Sequence, residues 1–329
     1  MSEIEVIRYS EQYRDKWEKF VLNNSTNGSF LMSRNFLDYH KDRFVDHSVL
    51  FIRGGSNIVG VCPAIEKVEN GKKQFISHAG STFGGIIVGK EYHNITNISG
   101  MVEALDEYLK NDGFSYALIK NPNEIFASEN SNLIDYMFYH QGYQNYDELS
   151  FAVDFSKVPN DDIVMNFKSK TRNLYRTSLK NNLELKSLTT KEEIADFYAI
   201  LCKSLEKYET KPVHSLDELY ELYFDRLSNV IRFYGVYSEG KMISGSMVFI
   251  INNVFHTQYL AADPEYLYLK PMDFMDGSLI ILAHDEGFKF FSFGISTEDH
   301  GHYLNENLAK FKEGFGTQFY INKSFYKSF

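Results

Sequence analysis

Apolar and polar positions along the chain pass through one succession of periods and then pass through it again. In residues 11–23, EQYRDKWEKFVLN, apolar side chains fall three and four apart, as on one face of a helix. In residues 47–68, HSVLFIRGGSNIVGVCPAIEKV, two apolar runs flank a Gly-Gly-Ser-Asn turn, which predicts a β-hairpin. A third apolar run, FISHAG (75–80), leads into the glycine-rich STFGGIIVG (81–89). A helical stretch, ISGMVEALDEYLKNDG (98–113), and a strand, FSYALIK (114–120), complete the set.

The second half repeats the order with other residues. KEEIADFYAILCKSLEKY (191–208) has helical spacing, VIRFYGVYSEGKMISGSMVFIINN (230–253) is a hairpin turning at Glu239-Gly240, and VFHTQYLAAD (254–263) is a strand. MDFMDGSLIILAHDEG (272–287) is a helix and FKFFSFGI (288–295) a strand. Gly55 and Gly60 of the first hairpin correspond to Gly240 and Gly245 of the second, and each second helix runs into a capping glycine, Gly113 and Gly287. The repeat predicts a duplicated mixed α/β fold, with domains at 1–156 and 157–329. Between them, ELSFAVDFSKVPNDD (148–162) reads as a strand leaving the first domain. Pro159 and the run Asn160, Asp161, Asp162 then cap the helix that opens the second.

That helix is basic. Lys168, Arg172, Arg176 and Lys180 recur at every fourth position, with Lys170 between them and no acid in the stretch, so a helix gathers them into one stripe. The stripe fits a solvated face or a site for an anion such as phosphate. The rest of the chain is acidic, with a formal net charge of -10, which argues against charge-driven DNA binding. At 329 residues the chain exceeds one ordinary core, and 43% hydrophobic residues are ample for two. Cys62 and Cys202, the only cysteines, have no partner at zinc-ligand spacing, so neither a disulfide framework nor a metal site is expected. The N-terminal MSEIEVIRYSEQYRDKWEKF is charged throughout, and no long apolar stretch follows, so the expectation is a cytoplasmic protein without a membrane span.

The order helix, hairpin, strand, helix, strand, taken with YLAADPEYLYLKPMDFMDGSLIILAHDEGFKFFSFGIS and the closing LAKFKEGFG, resembles the GNAT acyltransferases. Tandem copies joined through a basic helix resemble the FemABX peptidyltransferases in particular. Phe311, Lys312, Phe315 and Gly316 match that family's closing Phe-Lys-x-x-Phe-Gly. The resemblance implies two tandem GNAT-like domains and transfer of an acyl group to an amine. The co-substrate would be acetyl coenzyme A or another acyl-CoA, with no tightly bound cofactor; the acceptor would be a small molecule, glycan or peptide of envelope, peptidoglycan or polysaccharide synthesis. An aminoacyl-tRNA donor is the alternative, and a fold that only binds carbohydrate or protein a second. A departure bears on the donor: where the GNAT phosphate loop is glycine-rich, PEYLYLKPMDFMDG has no glycine before Gly277.

Acyl transfer needs an acceptor for the amine proton and donors for the developing oxyanion, and no nucleophile elbow is present. The motif implies that Lys312 reaches the acyl centre. By helical spacing Leu304, Leu308, Phe311 and Phe315 face the core, with Lys312 beside them. Glu298 and His300, in a loop after the strand ending at Gly294, are candidates for the proton acceptor. The strand end carrying Tyr259, Leu260, Ala261 and Asp263, with Lys270 beyond it, would hold the donor's pantetheine arm if the strand splays as in GNAT folds. In the first domain, Tyr39 and Arg43, and His78, Ser81, Thr82, Gly84 and Gly85 of SHAGSTFGG, are candidates for the acceptor, with Arg172 and Arg176 of the basic helix for its anionic parts.

Overall fold

A computed structural model describes residues 4–128, 132–159, 162–206 and 209–329. The chain forms two compact units, residues 1–148 with 321–329, and residues 149–320.

The first unit contains β1 (Ile4–Arg8), α1 (Arg14–Asn23), α2 (Arg34–Leu37), β2 (Val45–Asp46), β3 (Val49–Arg53), β4 (Asn57–Cys62), β5 (Ile65–Glu69), β6 (Lys72–Ser77), β7 (Ile87–Val88), α3 (Ile95–Asn111), β8 (Phe114–Lys120) and α4 (Asn132–His140). β1, β3, β4 and β7 make one sheet, while β8 pairs with β6, which pairs with β5 and, through it, β2. The run expected as one hairpin is thus divided at Pro63. A proline has no N–H for a ladder, and β5 leaves the sheet of β3 and β4 to join β6. α3 starts where Asn94 accepts from the Asn97 N–H and ends at Gly113, whose φ of 76° a side chain would resist. Its apolar face, Ile98, Met101, Val102, Leu105 and Leu109, packs into a core with Phe51, Phe75, Phe114 and Phe138.

The second unit receives the chain along β9 (Gln144–Asp154). It continues through α5 (Ile163–Asn166), α6 (Ser169–Ser178), β10 (Glu184–Leu188), α7 (Lys191–Glu206), α8 (Leu216–Tyr220), β11 (Ile231–Ser238), β12 (Lys241–Ile251), β13 (Val254–Ala262), α9 (Pro271–Asp285), β14 (Phe290–Ile295), β15 (Thr297–Glu298), β16 (Tyr303–Leu304) and α10 (Glu306–Glu313). β17 (Gln318–Ser328) returns to pair with β8 of the first unit through Ser324–Ser328. The sheet order is β10-β11-β12-β13-β14-β9. Glu239 and Gly240 both adopt positive φ, 49° and 80°, the geometry of a two-residue hairpin whose twist suits its strands. α9 is apolar nearly all round because it is enclosed: Phe274, Met275, Leu279, Ile280 and Ala283 join Phe255, Phe291, Phe293 and Phe315 in one core.

Two local expectations change. Asn160 and Asp161 lie outside the described residues, and Asp162 caps the short α5, not the basic helix, by accepting from the Val164 N–H. The basic helix is α6, which starts one element later without a side-chain cap. The expected boundary at residues 156 and 157 lies past β9, whereas the units divide at Leu149, within that strand, and the last nine residues rejoin the first unit. The division falls inside one continuous strand, whose polar first half gives way to a buried second half near Leu149 without a turn or loop to mark it.

Candidate functional site

β13 and β14 run parallel and pair only over Val254–His256 with Phe290–Ser292, although β13 continues for six residues. Two irregularities open them. An extra residue, Gln258, bulges β13 against β12, and Phe293 bulges β14 against β9. The corresponding parallel pair in the first unit, β6 with β8, stays paired from Lys73 to Ser77. Only the second unit therefore shows splayed strands among the described residues.

At the splay lies a cavity of about 390 Å³ lined by Thr257, Gln258, Leu260, Met272, Phe293, Leu308, Phe311 and Lys312. Lys312 is 6% exposed, and its Nζ donates to the carbonyls of Ile295 at 2.5 Å and Gly294 at 3.3 Å. Burial pushes its ammonium down to about 7, and Asp276 pulls the other way. Two of its three N–H groups are thus committed to backbone, and one is left for the cavity. α10 presents a different face from the one its spacing predicts. Leu304 and Leu308 are exposed, Phe311 is half-buried, and Ala309, Lys312 and Phe315 point inward. The apolar residues at 308 and 311 form cavity wall, so a bound ligand would cover them.

Three residues that the sequence reading missed belong to this neighbourhood. Asp276, on α9, is fully buried, and neither carboxylate oxygen has a hydrogen-bond partner. Burial first, then Asp273, raise its carboxyl well above the usual range, against the pull of Lys312. His256 is buried on β13, its Nδ1 3.0 Å from the Ser292 hydroxyl; burial and then Lys312 push its imidazole down to about 4. The signal for Asp276 was present: an acid in register with Met272, Leu279 and Ala283 on the apolar face of its helix. His256 and Ser292 carried none, being polar residues inside apolar strands.

The other expected donor contacts separate. Leu260 lines the cavity, but the Tyr259 hydroxyl lies 2.7 Å from the His214 imidazole, and Ala261 is buried opposite Gly245 of β12. Asp263 is engaged by Lys203 at 2.7 Å and caps the following 3-10 turn. Lys270 takes left-handed backbone angles at the start of α9, and its N–H donates to the Leu267 carbonyl. Glu298 and His300 sit on the small β15–β16 hairpin, solvent-facing and not among the cavity-lining residues, so their placement does not support either as proton acceptor.

In the first unit, Tyr39 is in the core, its ring 5.2 Å from Phe36 and 4.0 Å from His40. His78 is buried with Nδ1 accepting from the Gly80 N–H, and burial pushes its imidazole down to about 3. Gly84 donates to the Lys120 carbonyl and Gly85 to the Ser77 hydroxyl, so these amides are already used. Ser81 is half-buried, and Arg43 and Thr82 are exposed. Arg172 donates to the Met165 carbonyl at 3.3 Å, Arg176 is exposed, and Lys168 pairs with Glu313 at 2.5 Å. No group of three or more metal-ligating side chains is gathered among the described residues, and no described helix is long and apolar enough to cross a membrane.

Residues 166–303 match the family profile of the acetyltransferase (GNAT) domain. No curated protein matches the chain at a significant level. Among solved structures, FemX superposes with a TM-score of 0.72 at 13% identity, over 99% of this chain and 97% of that one. L-PGS from Bacillus licheniformis follows at 0.60 and 12%, covering 95% and 91% of the two chains. A tandem GNAT protein from the clavulanic acid biosynthesis pathway superposes at 0.54 and 8%, covering 99% and 98%. At these identities the structural likeness speaks to the fold, while the family match places acetyltransferase sequence on the unit that holds the cavity.

Proposed function

We propose that the chain is an N-acyltransferase, since residues 166–303 match the acetyltransferase (GNAT) domain and the fold is shared with FemX and with a tandem GNAT protein. It moves an acyl group, in the first instance acetyl from acetyl coenzyme A, onto the amine of an amino sugar, nucleotide-linked sugar or peptide used in envelope or polysaccharide synthesis. The observation that carries this reading is the cavity at the β13–β14 splay with Lys312 in its wall. The unpaired edge of β13 beyond His256 offers backbone groups to an extended donor arm, and Leu260, Phe293 and Phe311 offer apolar contact to the acyl chain. Lys312, fixed on two carbonyls, holds one N–H toward the acyl oxygen as negative charge grows there. The amine attacks the acyl carbon, the carbon–sulfur bond breaks, and the proton lost by the amine goes to the departing thiolate, leaving an amide and a free thiol. The exposed cations of α6, Arg176 among them, serve the anionic part of a substrate.

A second donor is favoured by a specific observation. α9 begins with Pro271, which lacks an N–H, and carries Asp273 in its first turn, where a pyrophosphate would sit. An acid and a proline at that helix end suit a donor without a pyrophosphate there, such as an aminoacyl ester on tRNA. Titration calorimetry with acetyl coenzyme A and with free coenzyme A, followed by thiol release in the presence of glucosamine, a nucleotide-linked amino sugar and a lysyl peptide, tests the first reading. Micromolar saturable binding with amine-dependent thiol release is expected. No binding of either ligand, with transfer from aminoacyl-tRNA to a peptide amine, would replace it with the second.

A further inference from the structure

His256 and Ser292 are the last residues at which β13 and β14 pair, so they stand at the vertex from which the two strands splay. Both are buried polar residues inside apolar strands, and their side chains meet, His256 Nδ1 lying 3.0 Å from the Ser292 hydroxyl. Two further bonds converge on Ser292. The Gly294 N–H donates to its hydroxyl at 3.3 Å, and the Thr257 hydroxyl donates to its carbonyl at 3.1 Å. A hydroxyl has one proton to give and two lone pairs to offer, enough for the imidazole and the Gly294 amide together. The residue these bonds enclose is Phe293, whose bulge bends β14 at this point. The imidazole also packs against the turn that follows: a Cβ on Gly294, whose φ is 67°, would lie 3.4 Å from His256 Cε1.

The far end of the same turn anchors Lys312, whose Nζ donates to the Gly294 and Ile295 carbonyls at 3.3 and 2.5 Å. A path of hydrogen bonds and one glycine thus runs from the β13 imidazole through the Ser292 hydroxyl to the lysine. Thr257 and Lys312 both line the cavity, so the vertex is tied to its wall at two points. In the first unit, where the strands do not splay, the parallel pair ends with Ser77 opposite Ile119, which has no polar group to form such a contact.

Taking Lys312 to serve the acyl centre as proposed above, we propose that His256 and Ser292 form a clasp that positions it. Neither lines the cavity; together they hold the turn at 294–295 so that its carbonyls face Nζ and the remaining N–H faces the ligand. Burial pushes the imidazole down to about 4, so the clasp is uncharged throughout the neutral range.

The test compares wild type, H256N, H256L and S292A as full chains, each checked for folding by thermal unfolding. Asparagine puts a polar atom where Nδ1 stood, leucine does not, and alanine removes the hydroxyl. The chains are labelled with 15N-lysine and observed by NMR near pH 6, where Lys312 is an ammonium, its signal assigned by loss in K312M. Wild type and H256N should show slow hydrogen exchange at Nζ, and in H256L and S292A that exchange should be about tenfold faster or more. In parallel, kcat for thiol release should fall about tenfold in H256L and S292A and stay within about threefold of wild type in H256N. A role confined to core stability would lower the unfolding temperature and move neither readout. Nζ exchange within about twofold of wild type in folded H256L and S292A would overturn the proposal. Should both fail to fold, the wild type decides: its Gly294 amide should be protected from hydrogen exchange, and exchange at the rate of an open loop refutes the clasp. Failure of the acyl-transfer reading would register as no thiol release by the wild type, with the Nζ comparison intact. Failure of the clasp registers in that comparison, with wild-type thiol release intact.

Discussion

Replacing Lys312 by methionine should stabilise the protein near pH 6 while disabling it. Lys312 is held at about 7 against an ordinary 10.5. Across that window the unfolded chain binds a proton the folded chain lacks, so wild-type stability rises with pH between them. Below about 7 both states are protonated and the whole cost of burying the ammonium is present. At ~1.4 kcal/mol per pH unit that cost has a ceiling of about 5 kcal/mol. Methionine removes it, and leaves the Gly294 and Ile295 carbonyls without the donor they share, at a loss of roughly 2 kcal/mol. K312M is therefore expected to be more stable than wild type by about 2–3 kcal/mol near pH 6 and by little or nothing near pH 9. Urea unfolding at the two pH values measures the difference, and thiol release at neutral pH should fall about 10²-fold or more, as for loss of an oxyanion donor. A stability difference that stays constant from pH 6 to 9 would refute the reasoning, because Lys312 would then titrate as an ordinary lysine. In the wild type, the same titration predicts that turnover loses its lysine-dependent component as pH rises through about 7.

Leu260→Trp should fill the cavity wall and abolish donor binding by calorimetry, with thermal unfolding shifted by only a few degrees, since Leu260 is half-buried at the splay. Gly85→Ala should cost about 2 kcal/mol or more in urea unfolding: its φ is 82°, and a Cβ there would lie 2.5 Å from Asn121 Oδ1. Asp263→Ala should cost about 1 kcal/mol through loss of the turn cap and of the Lys203 contact, read as a lower urea midpoint; Glu298→Gln and His300→Ala should each leave thiol release within about twofold of wild type.

The duplicated order of elements, the two glycine-turned hairpins and a helix over 272–287 were legible in the chain, because hydrophobic period and turn chemistry are local properties. The tertiary structure decided what depends on neighbours distant in sequence. The direction of Lys312 is one such matter: its helix has an apolar stripe at 304, 308, 311 and 315, yet the strand end at Gly294 and Ile295 supplies carbonyls that draw the lysine inward and leave Leu308 at the cavity wall. The splay of β13 from β14 is another, since it follows from bulges at Gln258 and Phe293 that only strand pairing defines. Glycines 84 and 85 look free to cradle a ligand until the fold spends their amides on Lys120 and Ser77. Asp276 marks the limit from both sides: an acid in an apolar register could be read from the sequence, but that packing encloses it fully and leaves both its oxygens without a partner could not.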